Sequence, residues 1–147
     1  MRTTYDELLA RAAHVDPKAR IDGVLMQQMM AGGTEMIVGI THDSQLGAAV
    51  MVGTGGIFAE VLRDVAVRPL PLDSTDAREM IESLRGYALL KGARGRAPAD
   101  IDALVDVIMA VARLATAGAE RVAELDLNPV IVNADGAVAV DSLLITR

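Results

Sequence analysis

Glu124-Leu125-Asp126-Leu127-Asn128-Pro129-Val130-Ile131-Val132, then Asn133-Ala134-Asp135-Gly136, then Ala137-Val138-Ala139-Val140-Asp141, reads as two strands joined by a turn. A strand sends residues i and i+2 to one face, so Asp126 and Asn128 point the same way. If Val132 pairs with Ala137, Asn128 lies directly opposite Asp141. If Asp135-Gly136 alone makes the turn, the two sit diagonally, still on one face. Either register gathers three oxygen ligands with no histidine or cysteine among them. That is ligand chemistry for a hard cation such as Mg2+, which takes a few protein oxygens and completes its shell with water and phosphate. An ordinary exposed hairpin would carry the same residues, because Asn-Pro and Asp-Gly are common turn formers.

The rest of the 147-residue chain is long enough for one domain with a core. Hydrophobic residues make up 52% and aromatics 2%, so that core must be built from Ala, Val, Leu, Ile and the eight methionines, which read as core filler. A net charge of −6 gives no basic footprint for nucleic acid or an anionic membrane. The absence of cysteine excludes thiol catalysis, disulfides and thiolate metal sites, and fits a reducing cytosol, so a cytoplasmic location is expected. The start, Met1 to Glu7, lacks the apolar segment of a signal peptide, and no run is apolar enough to span a membrane. His14 and His42 have no partner spacing and read as exposed.

Along the chain, Thr4-x-x-Glu7 resembles a capping box opening a helix to about Ala13, with Asp16-Pro17 as its stop. Gly23–Met30 reads as an apolar strand, Thr34–Thr41 as a second with a turn at His42-Asp43-Ser44, and Leu46–Val52 as a third ending in Gly53-Thr54-Gly55-Gly56. Asp64–Arg68 suits another strand, closed by Pro69-Leu70-Pro71. A helix capped by Ser74 or Thr75 runs to about Arg85. A second starts with Pro98 at its first position, carries Asp100 and Asp102 in its first turn, and continues to about Gly118. Strands, then helices, then the closing hairpin predict an α+β domain, mainly antiparallel sheet with two or three helices.

Six blocks, in order and spacing, resemble one family. They are Gly23–Met30 with Gly33-x-Glu35; Asp43; Gly53-x-Gly55-Gly56-Ile57-Phe58-x-Glu60; Leu90-Lys91-Gly92-x-Arg94-Gly95; Leu125-Asp126-Leu127-Asn128-Pro129; and Ala139-Val140-Asp141. The family is the NDP-forming acyl-CoA synthetases, and the chain resembles the C-terminal half of their ATP-grasp domain. ADP-forming acetate–CoA ligase belongs there, as does, more distantly, the β subunit of succinyl-CoA synthetase.

The resemblance implies one ATP-grasp C-terminal lobe over residues 1–147. It implies Mg2+ and ATP or ADP as cofactors, with Asn128 and Asp141 as metal ligands and Asp126 beside them. Gln27 and Met30 would line the adenine pocket, and Glu35 would serve the nucleotide and its ribose. A carboxylate accepts readily from ribose hydroxyls. Gly53, Gly55 and Gly56 would allow close backbone approach. Glu60 reads as a solvated acid, and Arg94 as either a phosphate contact or part of a solvated basic loop. Two departures stand out: Gln27 occupies a position where relatives often have an acid, and Leu46-Gly47-Ala48 replaces Phe-Gly-Pro.

The chain begins inside the helix before the hinge strand, so the family's phosphate-gripping N-terminal lobe is expected as a partner. A CoA-binding subunit or domain is expected too. The implied function is the nucleotide- and Mg-binding lobe of an ADP-forming acid–CoA ligase, catalytically incomplete by itself. The competing expectation is a non-catalytic or regulatory ATP-grasp-like interaction module, with a homodimer covering exposed sheet.

Overall fold

The apolar stripe between Pro98 and Gly118 organises the fold. In a computed structural model it forms a helix, Ile101–Ala117, burying Leu104, Val105, Ile108, Val111, Ala112 and Ala115. Those positions recur at three, four and seven residues and line one side of a 3.6-residue repeat. The structure describes residues 2–43, 45, 47–56, 63–92 and 97–147. The readings placed on Ser44, Leu46, Ile57, Phe58, Glu60, Arg94 and Gly95 lie outside the described residues.

The chain divides into two compact units, Met1–Met30 and Ala31–Arg147. In the first, α1 spans Arg2–Val15. It starts before Thr4, so the expected capping box does not open it. It ends where Asp16 and Pro17 stand, and Asp16 Oδ1 accepts from Lys18 N at 2.9 Å. The strand expected over Gly23–Met30 is not formed; residues 21–30 have no regular structure. A strand needs a neighbour for its backbone N–H and C=O groups, and among the described residues this segment joins no sheet ladder. Its side chains are open too, with Leu25 81% and Met29 89% exposed. The methionines are therefore split: Met36 and Met80 are core residues, and Met26 and Met29 are not.

In the second unit the strands are β1 (Thr34–Asp43), β2 (Gly47–Thr54), β3 (Val65–Pro69), β4 (Val122–Asn133), β5 (Gly136–Ala139) and β6 (Ser142–Thr146). They form one sheet in the order β3-β2-β1-β4-β5, with β6 also paired to β4, and every recorded pairing is antiparallel. The helices are α2 (Ser74–Ser83), α3 (Tyr87–Leu90) and α4 (Ile101–Ala117). The α+β expectation holds. Asp43, expected in a turn, ends β1 instead, paired with Gly47.

The helix ends differ from the expected caps. Asp73, not Ser74 or Thr75, caps α2, accepting from Thr75 N and Asp76 N while Asp76 accepts from Asp73 N. Asp100, rather than following a first-position Pro98, caps α4 by accepting from Ala103 N at 2.9 Å. Asp100 N in turn donates to Asn133 O at 2.7 Å, joining the start of α4 to the tip of the hairpin. Arg68 on β3 bridges to Asp76 and Glu79 on α2, and Arg78 on α2 pairs with Asp102 on α4.

The core lies between the helices and one face of the sheet. Met36, Val38, Ile40, Val50, Val52, Leu125, Val130 and Val132 meet Ala77, Met80, Ile81, Leu104 and Ile108 there. Val65 and Val67 on the β3 edge, and Leu143, Leu144 and Ile145 on β6, stay exposed. Among the described residues no helix is long and apolar enough to cross a membrane.

Candidate functional site

The C-terminal hairpin takes the first of the two registers open to it. Val132 pairs with Ala137 and Asn133 with Gly136, so Ala134-Asp135 forms the loop. The same register resumes in β6, where Leu127 faces Ser142 and Asp126 faces Leu143. Between the two paired stretches, Asn128 N donates to Asp141 O at 3.3 Å and Val140 N donates to Pro129 O at 2.9 Å. Asn128 therefore lies opposite Asp141.

The ladder is interrupted here on both sides of β4. Toward β1, Met36 faces Val130 but Val38 faces Leu127, so Asn128-Pro129 stands as two residues against Ile37. That is a β-bulge, and Pro129 has no N–H to give the ladder. On the other side β5 ends at Ala139 and β6 starts at Ser142. The interruption also resets alternation. Leu125, Leu127, Val130 and Val132 all turn to the core, although 127 and 130 differ by three. Asp126 and Asn128 are left on the helix-free face, together with Asp141.

Asn128 and Asp141 are exposed, and Asp126 is partly buried. Asp141 Oδ1 accepts from Ser142 N at 2.8 Å. Asp126 Oδ1 is buried and has no hydrogen-bond partner among the described residues. An unpaired buried carboxylate oxygen is costly and calls for a donor or a cation. Two carboxylates and an amide on one face fit a hard cation such as Mg2+. Among the described residues no three Asp, Glu, His or Cys side chains form a metal-holding group, so an amide oxygen and outside ligands belong to any such site.

Across β1, Gly39 faces Asp126. Met36, Val38 and Ile40 point into the core, so Glu35, Ile37 and Gly39 share the helix-free face. Glu35 is exposed near the start of the strand and faces Ile131 on β4. Glu35 and Gly39 are four residues apart, which on a strand is about 13 Å. A carboxylate thus stands at one end of a shallow strip and the Asp126, Asn128 and Asp141 group toward the other. Gln27 and Met30 belong to the first unit, where Gln27 is exposed and Met30 partly buried. His14 and His42 are exposed, as expected.

The glycine run closes against Glu35. Gly55 N donates to Glu35 O at 2.7 Å, and Thr54 N donates to Asp64 O at 3.1 Å. Asp64 is 7% exposed, and its two carboxylate oxygens each accept at 2.8 Å, from Arg85 N and Gly86 N. Gly86 is needed there, since a Cβ on it would collide with Thr54 Cγ2. Thr54 Oγ1 is buried without a partner among the described residues. Sequence reasoning missed Asp64 because its donors come from a helix junction more than twenty residues away. The available signal was an acid at the head of the strand expected over Asp64–Arg68, with Arg85 and Gly86 at the expected end of a helix.

The ATP-grasp domain family matches residues 1–145. Over 149 residues the chain is 42% identical to the acetate–CoA ligase [ADP-forming] II β subunit of Pyrococcus furiosus, covering 100% of this chain and 63% of that protein. It is 43% identical over 141 residues to acetate–CoA ligase [ADP-forming] I of Archaeoglobus fulgidus, covering 96% of this chain and 20% of that protein. It superposes, with a TM-score of 0.87 and 40% identity, on the dinucleotide forming acetyl-coenzyme A synthetase 1 of Ca. Korarchaeum cryptofilum, solved in complex with coenzyme A, Ca-AMPCP and HgCl+. That match covers 99% of this chain and 63% of that one. The chain thus spans less than two thirds of the length of these relatives. On the matched residues and the shared fold, the chain belongs to the ATP-grasp family and is a relative of the ADP-forming acetate–CoA ligases.

Proposed function

We propose that the chain is the nucleotide- and Mg-binding lobe of an ADP-forming acyl-CoA synthetase of the acetyl-CoA type. It would take part in ATP-dependent phosphoryl transfer leading to a thioester. The observation that carries this reading is Asp126 Oδ1, a buried carboxylate oxygen without a partner among the described residues, on the same strand as Asn128, which lies opposite Asp141 at the interrupted ladder. Asp126, Asn128 and Asp141 would hold the cation, and Gln27, Met30 and Glu35 the nucleoside. A Mg2+ ion held by these residues would supply electrostatic stabilisation of the charge that develops on phosphate in transfer. The chain's own part is positioning: oxygen ligands fixed by strand pairing, and a carboxylate offered to ribose hydroxyls. The Korarchaeum relative's complex with Ca-AMPCP supports the pairing of nucleotide and divalent cation.

Completion of the clamp would fall to the part of the relatives outside the match, in the same polypeptide or another, together with a CoA-binding subunit or domain. The chain alone would bind nucleotide weakly and turn over little or nothing. A second reading, a non-catalytic interaction module or homodimer, draws on the exposed Val65, Val67, Leu143, Leu144 and Ile145 at the sheet edges.

Calorimetric titration of Mg·ADP decides between them, run on the parent and on Asn128→Ala/Asp141→Ala, each with and without the complementing β-subunit segment. Binding that the double variant loses while keeping its fold supports the nucleotide lobe. A folded parent that stays silent even with the complementing segment would leave the interaction module as the better account.

A further inference from the structure

Glu35 is held from two sides by successive glycines. A Cβ on Gly55 would lie 3.0 Å from Glu35 C, 3.0 Å from Glu35 O and 3.1 Å from Glu35 Cβ. A Cβ on Gly56 would lie 2.9 Å from Glu35 Oε2, closer than real Cβ contacts come. Gly55 therefore abuts the backbone of Glu35, and Gly56 abuts its carboxylate. Gly56 has φ +67, which by itself favours glycine. Gly47 supplies the comparison: its φ is +77, yet nothing lies within 4 Å of its Cβ position. Backbone conformation is common to both positions, and only Gly56 has the carboxylate behind it. The turn is anchored on its far side through Thr54 N to Asp64, whose carboxylate is bound at Arg85 and Gly86.

We infer that Gly56 is a positioning residue that sets where the Glu35 carboxylate stands, and through it how strongly the chain discriminates the ribose hydroxyls of a nucleotide. This rests on the assignment of Glu35 to the nucleoside under Proposed function. A side chain at position 56 must displace Oε2, the far end of a flexible side chain. That clash is relieved easily, and the left-handed strain at φ +67 is one Gly47 shares, but a hydroxyl-to-carboxylate hydrogen bond does not tolerate a poor distance or angle. Discrimination is therefore lost out of proportion to stability.

The test compares affinities for Mg·ADP, Mg·2′-deoxy-ADP and Mg·3′-deoxy-ADP in the presence of the complementing β-subunit segment, with melting temperature recorded for each variant. The parent should prefer ADP over at least one deoxy analogue by roughly tenfold or more, as for hydrogen bonds to charged acceptors. Glu35→Ala should bring that ratio near one, and Gly56→Ala should do the same. Gly47→Ala, with the same backbone constraint, should keep the parent ratio. In a Glu35→Ala background, Gly56→Ala should change the ratio no further. Gly56→Asn, a residue that tolerates the left-handed conformation, repeats the test if Gly56→Ala does not fold. A ratio that survives both Gly56 variants but falls in Glu35→Ala overturns this inference and leaves the proposed function standing. With the complementing β-subunit segment present, a parent that binds none of the three, or binds all three alike, overturns the assignment of Glu35 and this inference with it.

Discussion

Truncating Asp64 to alanine would leave Arg85 N and Gly86 N without their acceptors, in a place that is 7% exposed. Each buried donor left unsatisfied costs about 1–3 kcal/mol. Asp64→Ala should therefore lower the unfolding free energy by about 2–4 kcal/mol, measured by urea denaturation with an unchanged m-value. Asp64→Asn keeps one acceptor oxygen and should lose less. Equal losses for the two would mean that water replaces the missing carboxylate and that the junction is open. Asp126 is the opposite case on the same sheet. Its buried oxygen lacks a donor among the described residues, so its removal should cost stability little and cation binding much.

At the scale of elements, the caps decide boundaries. Asp73 Oδ1 accepts from Thr75 N at 2.8 Å and from Asp76 N at 2.9 Å. Asp73→Ala should cost about 1 kcal/mol, the usual value for an N-cap acid, read as a lower midpoint in thermal or urea unfolding. Ser74→Ala should be nearly silent, and the reverse order of effects would return the cap to Ser74. These boundaries were poorly legible because Asp, Ser and Thr at positions 73, 74 and 75 are all good caps. The choice between them is made by which oxygen reaches the free N–H groups. The body of α4 was legible because Leu104, Ile108, Val111 and Ala115 keep helical spacing. Most strands were legible for the same reason, from apolar runs between turn residues. Gly23–Met30 has that composition too and is not a strand, since composition does not supply a hydrogen-bonding neighbour. The hairpin register left two alternatives in the sequence, and Asn133 O accepting from Asp100 N is a tertiary tie on which turn residues are silent. Asn128 directly opposite Asp141 was one of the two placements the sequence left open, and the structure takes it. The bulge that resets the strand's faces at Pro129 was not, because it is a relation to β1 rather than a property of β4.

For the whole molecule, the hydrophobic core draws every member from between Met36 and Ala137, all inside the second unit. A chain cut to residues 31–147 should therefore still unfold in one cooperative step, with a melting temperature within a few degrees of the parent. The same cut removes two of the residues proposed for the nucleoside and leaves those proposed for the cation. Asp126, Asn128 and Asp141 remain, whereas Gln27 and Met30 are removed. Mn2+, a paramagnetic stand-in for Mg2+, should still broaden the amide signals of Asn128 and its neighbours in the shortened chain. Mg·ADP should bind it more weakly than it binds the parent under matched conditions. Loss of the cooperative transition would show that residues 1–30 contribute to stability beyond the core. Retained transition with no Mn2+ broadening would remove the metal from the hairpin. Retained broadening with undiminished Mg·ADP affinity would remove Gln27 and Met30 from the nucleoside, leaving Glu35 as its remaining proposed contact.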